Sequence, residues 1–176
     1  MEGLVFDLEG DGLLDDITTI HCIVAKDISD KKVYQLYGDS LTEDAVLKLF
    51  NRYDYWIGHN IIGYDLPVLK RFYGLLPHSK GLIDTLVWSQ VLNPDRQLPK
   101  GCPSSYKNPL TNRLDRIGPH SLAAWGYRVG RFKPEHYDWS SFSEEMLHRC
   151  TEDVLIQEKV LYEVQKEARL EMYHYD

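Results

Sequence analysis

Three short apolar segments near the start of the chain constrain the fold more than any other feature. They occupy residues 3–9, 18–25 and 31–37, and short polar turns separate them. The second segment is rich in β-branched residues, and the third alternates apolar and polar side chains. Such segments predict strands joined as antiparallel hairpins. The chain is therefore expected to begin with a three-stranded meander.

The pattern changes after the third segment, where strands alternate with helices. Residues 40–43 (Ser-Leu-Thr-Glu) have capping-box spacing, so the first helix is expected to start there. Buried strands are predicted at 53–58 and from 81, followed by helices at 64–73 and 85–92, the second capped by Asp84. We predict an α/β fold with a five-stranded mixed sheet in the order 3-2-1-4-5, flanked by helices.

The second half of the chain combines a long loop with three predicted helices. Residues 93–119 are rich in proline, asparagine and serine and are predicted as one extended, functional loop. Short helices are expected at 121–127 and 143–147, and the longest helix at 151–170, with Thr151 as its cap. The 176 residues fit a single domain.

The charge of the chain is unevenly distributed. The net charge of −7 argues against binding to nucleic acid, because phosphate contacts need basic side chains. However, residues 95–133 include eight basic and two acidic residues, so this segment has a local charge of +6. Charge alone gives equal weight to a phosphate-binding segment and to a solvated basic loop.

The sequence lacks the features of exported and membrane proteins. No apolar run approaches the roughly 18 residues of a membrane helix, and the first residues carry no export signal. Three cysteines without CxxC spacing argue against a disulfide framework or a thiolate metal site. We expect a reducing cytoplasm and no membrane association.

Four acidic residues are the candidates for chemistry. Asp7 and Glu9 alternate along the first strand, so both carboxylates point to one face of the sheet. Asp65 follows a strand at the edge where sites of α/β sheets lie, and Asp153 starts the last predicted helix. Singly, each fits a solvated acid, a cap or a dipole-complementing residue. Together they need protons or cations, and oxygen ligands favour Mg²⁺ or Mn²⁺.

The segments that contain these acids resemble the motifs of a known superfamily. Residues 6–9 (FDLE), 59–65 (HNIIGYD) and 148–153 (HRCTED) resemble the three exonuclease motifs of the DEDD 3′-to-5′ exonuclease superfamily, which has a ribonuclease H-like fold. Residues 83–86 (IDTL) and 121–130 (SLAAWGYRVG) further resemble the proofreading domain of phage family A DNA polymerases.

The resemblance implies a site for two divalent cations, Mg²⁺ or Mn²⁺. By this resemblance Asp7 bridges both cations, Glu9 and Asp153 complete the first site, and Asp65 holds the second. Two such ions would clamp a phosphate between the attacking water and the leaving oxygen.

The general base is where the sequence departs from this pattern. The polymerase domains carry a tyrosine where this chain has Arg149, and a second subclass uses a histidine where this chain has His148. On a continuous helix, Arg149 would lie about 40° and His148 about 140° from Asp153 around the axis. A helix that starts at Thr151 would let His148 reach the cations, and imidazole suits a base near neutral pH. We predict His148 as the base; in the alternative, His148 is a surface residue and Arg149 contacts the scissile phosphate.

These patterns predict a metal-dependent 3′-to-5′ exonuclease that hydrolyses phosphodiester bonds at single-stranded DNA 3′ ends and releases nucleoside monophosphates, in proofreading or DNA degradation. A DNA polymerase is a candidate partner, and the expected location is the cytoplasm of a bacterium or a phage-infected host cell. Two alternatives stay open: an exoribonuclease, and a catalytically silent module that binds nucleic acid or a polymerase. The candidate substrate contacts are Leu8, His59, Asn60, Tyr64, His120, Arg128 and Arg149.

Overall fold

A five-stranded mixed sheet lies at the centre of the computed structural model, which describes residues 2–172. The main sheet has the predicted order β3-β2-β1-β4-β5, with β1–β2 and β2–β3 antiparallel and β1–β4 and β4–β5 parallel. The strands are β1 Gly3–Gly10, β2 Ile20–Asp27, β3 Val33–Tyr37, β4 Tyr55–Gly58, β5 Gly81–Asp84, β6 Ser105–Lys107 and β7 Leu114–Arg116. The helices are α1 Glu43–Asn51, α2 Asp65–Tyr73, α3 Thr85–Leu92, α4 Leu122–Val129 and α5 Glu144–Met172.

Side-chain alternation along β1 divides the core into two layers. Leu4, Phe6 and Leu8 are buried on one face, against residues of α1 and α2. Val5 is buried on the other face, against α5. Because successive side chains of a strand point to opposite faces, Asp7 and Glu9 share the face of Val5 and point toward α5.

The predicted start of the first helix needs correction. Helix α1 is capped by Thr42, whose Oγ1 accepts from the Ala45 amide at 3.2 Å, and not by Ser40. Ser40 instead closes a short turn, in which its Oγ accepts from the Tyr37 amide at 3.0 Å. The later start places two acids, Glu43 and Asp44, in the first turn, where the helix dipole favours negative charge.

The segment 93–119 is predicted as one extended loop, but it contains regular secondary structure. Strands β6 and β7 pair within it as a small antiparallel hairpin. The side chain of Asn108 forms the turn by accepting from the Leu110 and Thr111 amides at 2.9 and 3.1 Å. An asparagine that bonds the backbone two residues ahead is a known turn signal, so the hairpin follows from local chemistry.

The last helix is one continuous element, so the predicted helix break before Thr151 is wrong. Ser143 caps α5 by accepting from the Met146 amide at 3.1 Å. Thr151 does not cap a helix; its hydroxyl donates to the Leu147 carbonyl one turn earlier, at 2.8 Å. Threonine can make either bond, and buried apolar residues before and after Thr151 favour the continuous helix. None of the described helices combines the length and apolar character needed to cross a membrane.

Candidate active site

Strand β1 carries two acids toward α5 at the end of the sheet. Asp7 pairs with Val24 and Glu9 with Cys22 in the antiparallel register of β1 and β2. The register shifts between Glu9 and Gly10, where β1 ends. Both residues lie beyond Val5, the last residue of β1 that pairs with β4, and both are partly buried beneath α5.

Helix α5 adds three side chains to the same place. Asp153 is 1% exposed, and its Oδ1 has no hydrogen-bond partner within residues 2–172. Gln157, one turn later, donates from Nε2 to Asp7 Oδ1 at 2.9 Å. Cys150, almost one turn earlier, places its thiol 3.5 Å from Asp7 Oδ2. Spacings of three and four residues bring these groups to one helix face.

Asp65 reaches the cluster from the opposite layer. It is the first residue of α2, is 4% exposed, and accepts from the Leu8 amide through Oδ1 at 3.2 Å. The backbone of β1 between Asp7 and Glu9 thus fixes the Asp65 carboxylate. The third and fourth predicted acids, Asp65 and Asp153, approach Asp7 from two different helices.

Burial and mutual repulsion raise the pKa of three of these carboxyls. Burial, followed by the charge of Asp153, raises the pKa of Asp7 to about 7. Burial, followed by the charge of Asp7, raises the pKa values of Glu9 and Asp65 well above the ordinary carboxyl range. Carboxylates that repel one another in a poorly hydrated site take up protons or cations, so this cluster favours binding of positive charge.

Two basic side chains already contact the cluster. Lys133 donates from Nζ to Asp153 Oδ2. Arg149 places Nε 3.7 Å from Glu9 Oε1, while its Nη1 donates to the Pro134 carbonyl at 2.6 Å. The four carboxyls outnumber the two cationic side chains, so the cluster can accept further positive charge, as protons or as a cation.

Comparisons with known proteins identify the family of this chain. The sequence profile of the RNase_H_2 family, described as RNase_H superfamily, matches residues 4–100, more than half of the chain. The chain belongs to the RNase H superfamily. The matched segment contains three of the four acids, Asp7, Glu9 and Asp65.

Individual relatives support an RNase H-like exonuclease domain. The DNA-directed DNA polymerases of Enterobacteria phage T3 and Escherichia phage T7 are each 30% identical to the chain, over 188 and 187 residues. These alignments cover 90% of this chain and 26% of each polymerase, so the chain spans about a quarter of the length of these relatives. The structure of Trypanosoma brucei RNase D has a TM-score of 0.59 at 16% identity and covers 90% of this chain and 56% of that chain, which supports the fold.

The RNase H-like fold does not bring His148 to the acids. His148 is exposed, whereas Asp153 is buried. Because α5 continues without a break, His148 lies about 140° from Asp153 around the helix axis, beside Glu152. Arg149, about 40° from Asp153, faces the cluster instead. The helix break on which the assignment of His148 as base depends is not present.

The loop between β4 and α2 of this RNase H-like domain is held by Asp84. The Oδ1 atom of Asp84 accepts from the Asn60 amide at 2.9 Å, and Oδ2 accepts from the Ile62 amide at 3.0 Å. Asn60 has φ 67°, a left-handed conformation that asparagine tolerates. Asp84 also caps α3, as predicted, by accepting from the Leu86 amide at 3.0 Å. Holding the loop is a second role that the sequence did not indicate.

His59 offers a neutral imidazole at this loop. Burial lowers its pKa to about 4, so the ring is uncharged at neutral pH. Its Nδ1 bonds Thr85 Oγ1 at 2.9 Å, and its Nε2 has no hydrogen-bond partner within the described residues. The Nε2 atom itself is buried, so the role of His59 as a substrate contact stays a prediction.

Neither Leu8 nor Tyr64 offers the site a side chain that is free to bind substrate. The Leu8 side chain is 3% exposed in the core, so only its amide, bonded to Asp65, faces the site. Tyr64 donates its hydroxyl to the Gly12 carbonyl at 2.7 Å, and burial raises its pKa to about 12. Tyr64 therefore ties the end of β1 to the start of α2.

His120 and Arg128 are also engaged within the protein. His120 Nδ1 lies 2.8 Å from Ser89 Oγ. Arg128 donates to the Pro119 and Gln97 carbonyls at 2.8 and 2.6 Å, and its guanidinium lies 4.9 Å from the centre of the Trp125 ring. Both residues stabilise the backbone path of the basic segment 95–133. At least one of its basic side chains, Arg128, therefore has a structural role.

A groove of about 530 Å³ opens beside the acid cluster. It lies between α4, the β6–β7 hairpin and the segment after α4. Its lining combines aromatic and basic side chains, including Tyr106, Arg116, Tyr127, Phe132, Lys133 and Arg149. Because Lys133 and Arg149 line the groove and also contact Asp153 and Glu9, the groove adjoins the cluster.

The donor set fits hard divalent cations. The four carboxyls lie close enough for their charges to act on one another, and the Asp153 Oδ1 atom is buried without a hydrogen-bond partner within residues 2–172. Asp7, Glu9 and Cys150 can each place one ligand atom within 4.8 Å of the other two. Carboxylate oxygens are the ligands that Mg²⁺ and Mn²⁺ prefer, so these residues fit the cations that the resemblance implies.

We expect the affinity for Mn²⁺ to rise with pH up to about neutrality. Since the pKa of Asp7 is raised to about 7, below that pH a proton occupies the carboxylate and must leave before a cation binds. The apparent association constant should rise about tenfold per pH unit for each proton released, and level off above pH 7. The association constant can be measured by titrating the protein with Mn²⁺ between about pH 5.5 and about pH 8 and detecting free Mn²⁺ by electron paramagnetic resonance. An affinity independent of pH contradicts it.

Proposed function

We propose that this chain is a metal-dependent 3′-to-5′ exonuclease that removes nucleotides from single-stranded DNA ends. The observation that carries the proposal is the convergence of Asp7, Glu9, Asp65 and Asp153 on one end of the sheet, with one buried carboxylate oxygen left unpartnered. Ion pairs that merely stabilise a fold do not require four acids from three elements, β1, α2 and α5, to lie together. A site for divalent cations does.

Asp7 lies centrally, so it suits a ligand shared by two cations. Glu9 and Asp153 would then hold one cation and Asp65 the other, as the resemblance implies. Bound there, the cations would activate water and stabilise the charge on the leaving oxygen. The protein fixes the ligands in advance: Gln157 orients Asp7 at 2.9 Å, and the Leu8 amide orients Asp65 at 3.2 Å.

Arg149 supplies a fixed positive charge at the position of the tyrosine in the resembling polymerase domains. Its guanidinium lies 5.1 Å from the centre of the Trp139 ring and is anchored to the Pro134 carbonyl. Its Nε atom has no hydrogen-bond partner within residues 2–172. The Nε atom is buried and faces Glu9 Oε1 at 3.7 Å, so a phosphate contact would use the other guanidinium nitrogens. Because the group is an anchored positive charge beside the acids, we assign Arg149 to binding the scissile phosphate.

The groove suits the strand that ends at the acids. Aromatic rings such as Tyr106 and Tyr127 can stack on bases, and Arg116 provides positive charge for a backbone phosphate. DNA is the favoured substrate, because the two phage relatives are DNA-directed DNA polymerases. By the same reasoning, a DNA polymerase is the proposed partner.

The assay is digestion of matched DNA and RNA oligonucleotides labelled at the 5′ end. We expect stepwise shortening of single-stranded DNA in Mg²⁺ or Mn²⁺ and none in EDTA. Faster digestion of RNA would make the chain an exoribonuclease. Absence of digestion of both, in either metal, overturns the proposal.

A silent binding module is the second candidate, favoured by one observation. Lys133 and Arg149 already neutralise part of the cluster, and Arg149 replaces the tyrosine of the resembling domains. Binding of oligonucleotides without hydrolysis in Mg²⁺, Mn²⁺ and Co²⁺ would support this candidate over the exonuclease.

A further inference from the structure

Lys133 lies on a segment that is fixed on both sides of it. This segment, residues 131–143, has no regular secondary structure and links α4 to α5. Arg131 forms two bonds to Glu152, at 2.6 and 2.8 Å. Farther along, the Trp139 carbonyl lies 2.9 Å from His21 Nε2. The backbone that carries Lys133 is therefore anchored, while its side chain, four methylenes long, can change direction.

Within the described residues, the Lys133 ammonium is the one cationic group that bonds Asp153. It contacts Oδ2 of this carboxylate, which is 1% exposed and whose other oxygen has no partner. Burial lowers the pKa of Lys133, but the charges of Asp153, Asp7 and Glu9 outweigh this, and the pKa is raised overall. The ammonium thus interacts favourably with three of the four acids.

A divalent cation on Asp153 and the Lys133 ammonium would repel each other. Two cations on one carboxylate lie within a few ångströms, where repulsion is strong in a poorly hydrated site. A doubly charged ion also neutralises three carboxylates better than a single ammonium. The two should therefore compete for Asp153.

The groove offers the displaced side chain a place to go. Lys133 belongs both to the acid cluster and to the lining of the groove, and its side chain is 25% exposed. The segment itself need not move, because rotation about the side-chain bonds redirects the ammonium. The groove is also lined by Glu135, an acid that could receive the ammonium, and by Arg116, beside the proposed path of the DNA strand.

We propose that Lys133 is a tethered cation that holds Asp153 in the metal-free protein and leaves it for the groove when a divalent cation binds. The proposal rests on the proposed function, because it assumes that the cluster binds such cations. It adds that metal binding presents a positive charge to the backbone of the substrate. Lys133 is thus a positioning residue for Asp153 in one state and a phosphate contact in the other.

The test compares Mn²⁺ binding to the wild type and to Lys133→Met, without nucleic acid. We expect Lys133→Met to bind Mn²⁺ about tenfold more tightly, since the competing charge is gone. In EDTA its melting midpoint should fall by about 5 °C, because Asp153 loses its counter-charge. Lys159→Met removes an exposed lysine of α5 whose ammonium, within residues 2–172, bonds only the Val129 carbonyl, at 3.3 Å, and should change neither quantity. Lys133→Arg keeps the charge and should bind Mn²⁺ within about threefold of the wild type.

A second measurement uses the wild type alone and does not depend on the folding of a variant. Reductive methylation followed by mass spectrometry should label Lys133 several-fold faster in Mn²⁺ than in EDTA, with Lys159 unchanged. Unchanged or weaker Mn²⁺ binding by a folded Lys133→Met variant overturns the proposal, as does slower labelling of Lys133 in Mn²⁺. If neither protein binds Mn²⁺, both this proposal and the proposed function fail.

Discussion

Asp7→Asn is expected to abolish nucleotide release while it stabilises the metal-free protein. Asparagine has the shape of aspartate, and its carbonyl can still accept the Gln157 bond that Asp7 accepts at 2.9 Å. The negative charge that both cations would share is lost. Removal of about 4 kcal/mol of charge stabilisation corresponds to a decrease of about 1,000-fold in rate.

The gain in stability follows from the sign of the pKa shift. The pKa of Asp7 is raised to about 7, so the folded protein binds a proton there more tightly than the unfolded chain does. The wild type therefore loses stability as pH rises from about 4 to about 7, and Asp7→Asn does not incur this loss. At pH 8 we expect the melting midpoint of Asp7→Asn in EDTA to be a few degrees higher than that of the wild type, and near pH 4 we expect no difference.

In Mn²⁺, the melting midpoint of the wild type should become higher than that of Asp7→Asn. A cation that binds only the folded state stabilises the wild type by mass action, whereas Asp7→Asn should respond weakly. The matched control is Glu163→Gln, which neutralises an exposed acid on α5 and should behave as the wild type. Rates within tenfold of the wild type, or a lower melting midpoint in EDTA at pH 8, would contradict the assignment of Asp7.

The order of the sheet could be predicted because it depends on local patterns. Segments 3–9, 18–25 and 31–37 are joined by short turns, so they had to pair as neighbours, and the later strands follow helices that place them on the other side of β1. The position of Asp7 and Glu9 on one face follows from the period of a strand. Asp65 and Asp153 could be added because the motifs around them are similar to those of a known superfamily.

The continuity of α5 could not be predicted from Thr151 alone. A threonine hydroxyl can cap a new helix or bond a carbonyl one turn back, and packing of Cys150 and Val154 against the sheet decides for the second. That single choice moves His148 to the surface and Arg149 to the site. Gln157 could have been found, since it lies four residues after Asp153 on the same helix face.

No sequence pattern indicated that Lys133 would contact the acids. It lies in an irregular segment, twenty residues before Asp153, and only the tertiary path of residues 131–143 brings it to the acids. Its place in a basic segment indicated a phosphate contact rather than a partner for an acid. Side chains delivered by irregular segments are those that spacing arguments miss, because no period relates them to the site.

Asp84→Ala is expected to destabilise the protein by about 3 kcal/mol, the largest stability effect of any substitution near the site. The carboxylate is 4% exposed and accepts from the Asn60, Ile62 and Leu86 amides at 2.9 to 3.0 Å. Alanine leaves all three donors without this acceptor, at about 1 kcal/mol each. The melting midpoint should fall by about 10 °C.

Asp84→Asn separates the two roles of this side chain. Its carbonyl can replace Oδ1 and keep the bonds to Asn60 and Leu86, but its amino group would face the Ile62 amide, where Oδ2 now accepts at 3.0 Å. We expect about half the loss seen with alanine. Asp54→Ala, at an exposed acid just before β4, should change the midpoint by less than about 2 °C. In Asp84→Ala, the amide hydrogens of Asn60 and Ile62 should exchange faster than in the wild type, whereas those of α5 should exchange at the same rate. If all amides lost protection equally, Asp84 would stabilise the fold as a whole rather than the loop that leads to Asp65.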